Sequence, residues 1–75
     1  MASKKPVHTI PYKGQWANRT ERASRVFGVA PTKSQAEQVG RASARQRQTE
    51  HISHRRDGTI GERRSYGGDP FPPRG

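Results

Sequence analysis

The strongest local signal in the chain is Pro31-Thr32-Lys33-Ser34-Gln35. Thr-x-x-Gln is a capping box: the threonine hydroxyl accepts from the Gln35 backbone, and the Gln35 side chain reaches back toward the cap. It predicts a helix from about Lys33 to about Gln48. Ala36, Val39, Gly40 and Ser43 share one face at three-and-four spacing. They are small, so the helix can approach a sheet closely while burying little area. Lys33, Glu37, Arg41 and Arg45 form a stripe that reads as solvated, with Glu37 and Arg41 at the favourable i,i+4 spacing. Arg41, Arg45 and Arg47 sit near the helix C-terminus, where the dipole favours cations. A helix with one apolar stripe needs a cover, and the rest of the chain must supply it.

The flanking sequence supplies strands. Val7 to Tyr12 reads as a strand that Pro11 marks as an edge or an end. Lys13-Gly14 is a turn, and Gln15 to Thr20 returns from it. Ser24 to Ala30 is a third strand, carrying Val26, Phe27 and Val29. Beyond the helix, Glu50 to Arg55 centres on Ile52, Asp57-Gly58 is a hairpin signal, and Thr59 to Arg64 centres on Ile60. The expected fold is α+β, a small antiparallel sheet in βββα-ββ order with the helix on one face. Residues 1–6 read as a disordered lead-in and 7–64 as the single domain. Residues 65–75 read as a tail, since three prolines and three glycines forbid regular structure there.

Stability in so short a chain is marginal. The 75 residues allow one domain, and only 27% of them are hydrophobic. The expected core is Val7, Ile10, Trp16, Val26, Phe27, Val29, Val39, Ile52 and Ile60, with Trp16 the central packing residue. There is no cysteine to staple the fold, which fits a reducing compartment. No apolar run is long enough for a signal peptide or membrane span, so the expected location is cytoplasmic, with no membrane partner.

Charge points to the partner. Fifteen Lys and Arg face six Asp and Glu, for a formal net charge of +9, and eleven of the fifteen are Arg. Arginine offers phosphate a planar fork of donors. Arg41, Arg45, Arg47, Arg55, Arg56, Arg63 and Arg64 put seven cations into residues 41–64, against Glu50, Asp57 and Glu62. A helix end and a hairpin could bring them onto one phosphate-contacting surface, which Arg19 and Arg25 could extend. The leading expectation is a small nucleic-acid-binding accessory protein that contacts DNA or RNA through phosphates. The alternative is a protein-interaction module that docks its basic face on an acidic protein, or its Pro-rich tail Asp69-Pro70-Phe71-Pro72-Pro73 on a macromolecular partner. A basic surface that serves only solubility is the third reading.

Catalysis is not expected. There is no Gly-rich phosphate loop ending in Gly-Lys-Ser/Thr, Asp57 is committed to a turn, Glu37 to a helix surface, and so short a chain leaves no room for a substrate cavity. No cofactor and no small-molecule substrate are expected. His51 and His54 are three apart on a strand and point to opposite faces, so with His8 they suggest no metal site.

The chain resembles the domain of unknown function 2188 family of short bacterial proteins. The resemblance rests on Val7-His8 with Pro11, Gly14-x-Trp16, Thr32-Lys33-x-x-Ala36, Arg56-Asp57-Gly58-x-Ile60, and the closing Ser65-Tyr66-Gly67-Gly68-Asp69-Pro70-Phe71-Pro72-Pro73. It spans almost the whole chain and implies a single small α+β domain of bacterial or phage origin, with no functional residue to carry over. The three-strand-then-helix half also resembles, more weakly, small DNA-binding domains that lay a three-stranded sheet in a groove.

The capping box generates the first prediction. Thr32→Ala is expected to cost about 1 kcal/mol, read as a lowered urea midpoint with unchanged slope.

Overall fold

The computed structural model describes residues 5–66. The lead-in and tail fall largely outside them. Five strands and one helix follow the chain: β1 (Val7–Tyr12), β2 (Gln15–Thr20), β3 (Phe27–Ala30), α1 (Lys33–Arg47), β4 (Glu50–His54) and β5 (Ile60–Ser65). The β1–β2 turn has positive φ at both Lys13 (48°) and Gly14 (79°), the mirror-image geometry that suits the twist of a hairpin. The β4–β5 turn carries three residues rather than two. Arg55 N–H donates to Thr59 O (2.7 Å), and Gly58 takes φ 94° inside the loop.

Helix α1 begins as the capping box dictates. Thr32 Oγ1 accepts from Gln35 N–H at 3.2 Å, and the same hydroxyl donates to Gln35 Oε1 at 3.2 Å, so the Gln35 side chain reaches back to the threonine side chain. The helix ends at Gln48, which adopts the left-handed conformation (φ 56°) and returns its N–H to Ala44 and Arg45. Two residues later the chain is already in β4.

The sheet order is β3-β2-β1-β4-β5, and β1 pairs with β4 in parallel, so the sheet is mixed rather than antiparallel. The reason is the helix. β3 runs in the direction of β1, α1 carries the chain back, and the next strand must again run with β1. Strand β3 begins at Phe27 rather than at the expected Ser24, and its pairing with β2 shifts register between Trp16 and Asn18.

α1 covers one face of the sheet by presenting Ala36, Gly40 and Ala44. Val39, expected in that stripe, is 43% exposed, as are Val29 (46%) and Ile60 (47%); none of them belongs to the core. The buried apolar set is Val7, Trp16, Ala17, Ala36, Ala44 and Ile52. Glu37 is not on a solvated stripe either: it lies over β4, accepts from the Ser53 hydroxyl and pairs with Arg41 (3.3 Å).

What lies beneath the helix is polar. Thr9, Asn18, His51 and Ser53 are all buried. Asn18 Nδ2 donates to the Ala36 carbonyl (2.9 Å), which fixes its amide, so Asn18 Oδ1 accepts from the Thr9 hydroxyl (2.6 Å). Thr9 Oγ1 has then spent its hydrogen, and its contact with His51 Nε2 (2.7 Å) requires the ring to donate. His51 therefore carries its proton on Nε2. Burial, and next the nearby Arg41 guanidinium, hold its pKa below the ordinary histidine value.

Gly40 lets the helix sit on this layer. A Cβ there would overlap Asn18 Oδ1 and come within 2.9 Å of both His51 Nε2 and Thr9 Oγ1. Helix propensity alone would make Gly40→Ala stabilising by about 1 kcal/mol. Overpacking costs roughly 1–3 kcal/mol, and more where the groups struck are hydrogen-bonded and cannot yield. Gly40→Ala is therefore expected to destabilise; a raised urea midpoint would show that the helix does not rest on these atoms.

His51 sets a pH dependence. Its folded-state pKa is depressed, so the unfolded chain takes up the proton first. The stability it contributes is complete above the unfolded value and is lost as pH falls below it. His51→Gln keeps a donor toward Thr9 and removes the titration. Between about pH 7.5 and about pH 5, the wild type should lose more stability than this variant in urea unfolding, and equal losses would refute a neutral buried ring.

Candidate functional site

Parallel pairing has an electrostatic result. β1 and β4 end at the same edge of the sheet, so the Lys13-Gly14 turn and the Arg55–Thr59 turn emerge side by side. α1 runs the opposite way and starts at that edge. There Lys33 Nζ stands 5.4 Å from the centre of the Trp16 ring, and the Arg56 guanidinium approaches the same ring at 6.0 Å. Lys13 Nζ lies 5.3 Å over Tyr12. Trp16 is only 7% exposed, so it serves as a packed platform beneath the two cations.

The edge has little negative charge to set against these groups. The first turn of α1 contains no acid. Asp57 is the nearby carboxylate, and its Oδ1 is taken by the Thr59 backbone N–H (3.0 Å) and hydroxyl (2.7 Å). Those two bonds hold its pKa below the usual value.

The other arginines do not join this group. The helix end and the second hairpin lie at opposite edges, so the single surface expected from Arg41, Arg45 and Arg47 with Arg55 and Arg56 does not form. Arg47 bonds Thr20 Oγ1 (3.0 Å) at the far edge, and Arg25 lies in the β2–β3 connection at that same edge. Arg41, Arg45 and Arg64 flank the space between α1 and β5. There Arg41 pairs with Glu37, Arg64 with Glu62 (3.1 Å), and Arg45 stacks over Tyr66 at 5.4 Å.

Arg19 and Arg63 occupy the helix-free face. Register aligns Arg19, His8, Ile52 and Arg63 in one row across four strands, which separates the two arginines by about 14 Å at the usual strand spacing. Arg63 also approaches Glu50 at 3.9 Å. Lys13 and Lys33 were not among the expected site residues. Each has a local signal, a turn position and a first helical position, but only the parallel register reveals that they share one end of the sheet with Arg55 and Arg56.

His51 lies under the helix, while His8 and His54 meet on the helix-free face with facing ring nitrogens 2.9 Å apart. Among the described residues, no group of three or more His, Cys, Asp or Glu side chains is placed to hold a metal ion. No helix among them is long and apolar enough to cross a membrane.

Comparison with known proteins finds one family. Residues 7–66 match the model of the domain of unknown function 2188, described as an uncharacterised protein conserved in bacteria. No curated protein matches the chain, and no solved structure does. The match covers all five strands and the helix, so this chain belongs to the domain of unknown function 2188 family of bacterial proteins.

Proposed function

We propose that this protein is a small nucleic-acid-binding accessory protein that contacts phosphates at the edge formed by Lys13, Lys33, Arg55 and Arg56. One observation carries the reading: parallel pairing of β1 and β4 gathers two turns and a helix N-terminus at one edge, where the acid in the second turn is already spent on Thr59. Long basic side chains at turns keep their charged heads in water, free to meet a polyanion. The α1 N-terminus adds unpaired backbone donors and the positive end of its dipole. The contact is with the phosphate backbone, because lysine and arginine carry this edge and neutralising phosphates releases condensed counterions whatever the base sequence. Arg25, Arg45 and Arg47 at the far edge, and Arg19 and Arg63 on the helix-free face, supply the field that steers association.

Fluorescence anisotropy with duplex DNA, single-stranded DNA and structured RNA, at low and moderate salt, tests this. Arg55→Glu combined with Arg56→Glu should weaken binding similarly for every sequence. It should flatten the salt dependence by about one unit of slope per lost phosphate. Stability should fall by no more than about 1 kcal/mol, since both are exposed turn residues and the main loss is the approach of Arg56 to Trp16. Arg47→Glu, at the far edge, should cost less. If the wild type binds no nucleic acid at low salt, the proposal fails, and the basic edge serves an acidic protein or solubility.

A further inference from the structure

The helix-free face carries a continuous chain of four groups. Glu21 Oε1 lies 3.0 Å from His8 Nε2, His8 Nδ1 lies 2.9 Å from His54 Nε2, and His54 Nδ1 lies 2.9 Å from the Gly58 carbonyl oxygen. The hydrogens can be counted. A carbonyl only accepts, so His54 Nδ1 bears one. An ionised carboxylate only accepts, so His8 Nε2 bears another. The contact between the rings needs a third, yet two neutral imidazoles carry two between them. All three bonds coexist only when the pair holds one extra proton.

The rings are oriented for it. Their centres are 5.1 Å apart and their facing nitrogens 2.9 Å, so the nitrogens lie near the line joining the rings, as a linear N–H···N bond demands. Two imidazoles on one metal ion would approach each other at the bent angle of its coordination sphere.

We propose that His8 and His54 form a single-proton binding site, an imidazole–imidazolium pair with Glu21 as its counter-ion, whose occupancy secures the β4–β5 turn through the Gly58 carbonyl. The proton comes from solvent water. With it absent, one of the three bonds is lost. With a second proton added, two cations face each other across the central contact and that bond breaks. The chain is whole at an occupancy of one.

Charges on every neighbouring element bear on the site. Arg19 stands beside His8 on β2, Arg63 lies one strand beyond on β5 with Glu50 near it, and Arg55 follows His54. His51, Glu37 and Arg41 lie on the far side of the sheet. Arg19, Arg55 and Arg63 are exposed and their opposition is screened by water, whereas Glu21 bonds the ring directly. The proton site does not rest on the nucleic-acid reading, although the turn it secures is the one that carries Arg55 and Arg56.

Long-range proton–nitrogen NMR of the histidine-labelled chain across pH tests it. While the pair holds one proton, His8 Nδ1 and His54 Nε2 should show a nitrogen–nitrogen coupling across their hydrogen bond and one strongly deshielded N–H, and the Arg55 and Arg56 backbone amides should shift as these signals appear. His8→Gln and His54→Gln should each remove both signals. Glu21→Gln, which takes away the counter-ion, should weaken them. A wild type that shows neither signal at any pH would overturn the proposal. That decisive reading uses the unsubstituted protein, so it stands even if a variant folds poorly.

Discussion

The Thr9 hydroxyl is the point on which the described structure turns. It gives its hydrogen to Asn18 on β2 and receives one from His51 on β4, so a single oxygen joins the three central strands. Asn18 in turn reaches the Ala36 carbonyl and ties the sheet to the helix. A buried polar group costs free energy unless it is bonded, and here each of these groups satisfies the next. The arrangement also sets the distance of the helix, because hydrogen-bonded polar atoms leave no room for a side chain at Gly40. A chain with few large apolar residues thereby gains a specific interior out of threonine, asparagine, histidine and serine.

From that junction the charge distribution follows. Parallel pairing of β4 with β1 sets His51 beside Val7 and Ser53 beside Thr9. The same parallel register delivers the second turn to the edge where the first turn and the helix start already lie. Packing and electrostatics are in this sense one decision: the strand direction that completes the polar layer also assembles the basic edge. The helix-free face obeys the same register, which brings His8 and His54 into contact there, two residues out of line on neighbouring strands.

Local chemistry made the element positions legible. The capping box at Thr32, the positive φ that Gly14 and Gly58 supply, and the Asp57 turn each act within a few residues, so the helix start and both hairpins could be read directly. Strand direction could not, because it depends on contacts between residues about forty positions apart. The core was misread for a related reason. Residue type alone points Val29, Val39 and Ile60 to the core, whereas Thr9, Asn18 and Ser53 look like strand-surface residues until a partner is known. The basic edge was half visible, in Arg55 and Arg56, and half hidden, in Lys13 and Lys33.

Strand β5 is exposed along its whole length and forms one border of the sheet. Such a border offers unpaired backbone groups to any passing strand. Its sequence opposes that. Glu62, Arg63 and Arg64 are consecutive, and successive residues of a strand face opposite ways, so both faces of the border carry charge. The opposite border, β3, is four residues long and broken by a register shift and by Gly28 at φ 61°. An incoming strand would meet charge at one side and an irregular, short ladder at the other. If the chain binds nucleic acid as proposed, many copies would crowd along one polyanion, and borders of this kind would guard them against polymerising there through their sheets.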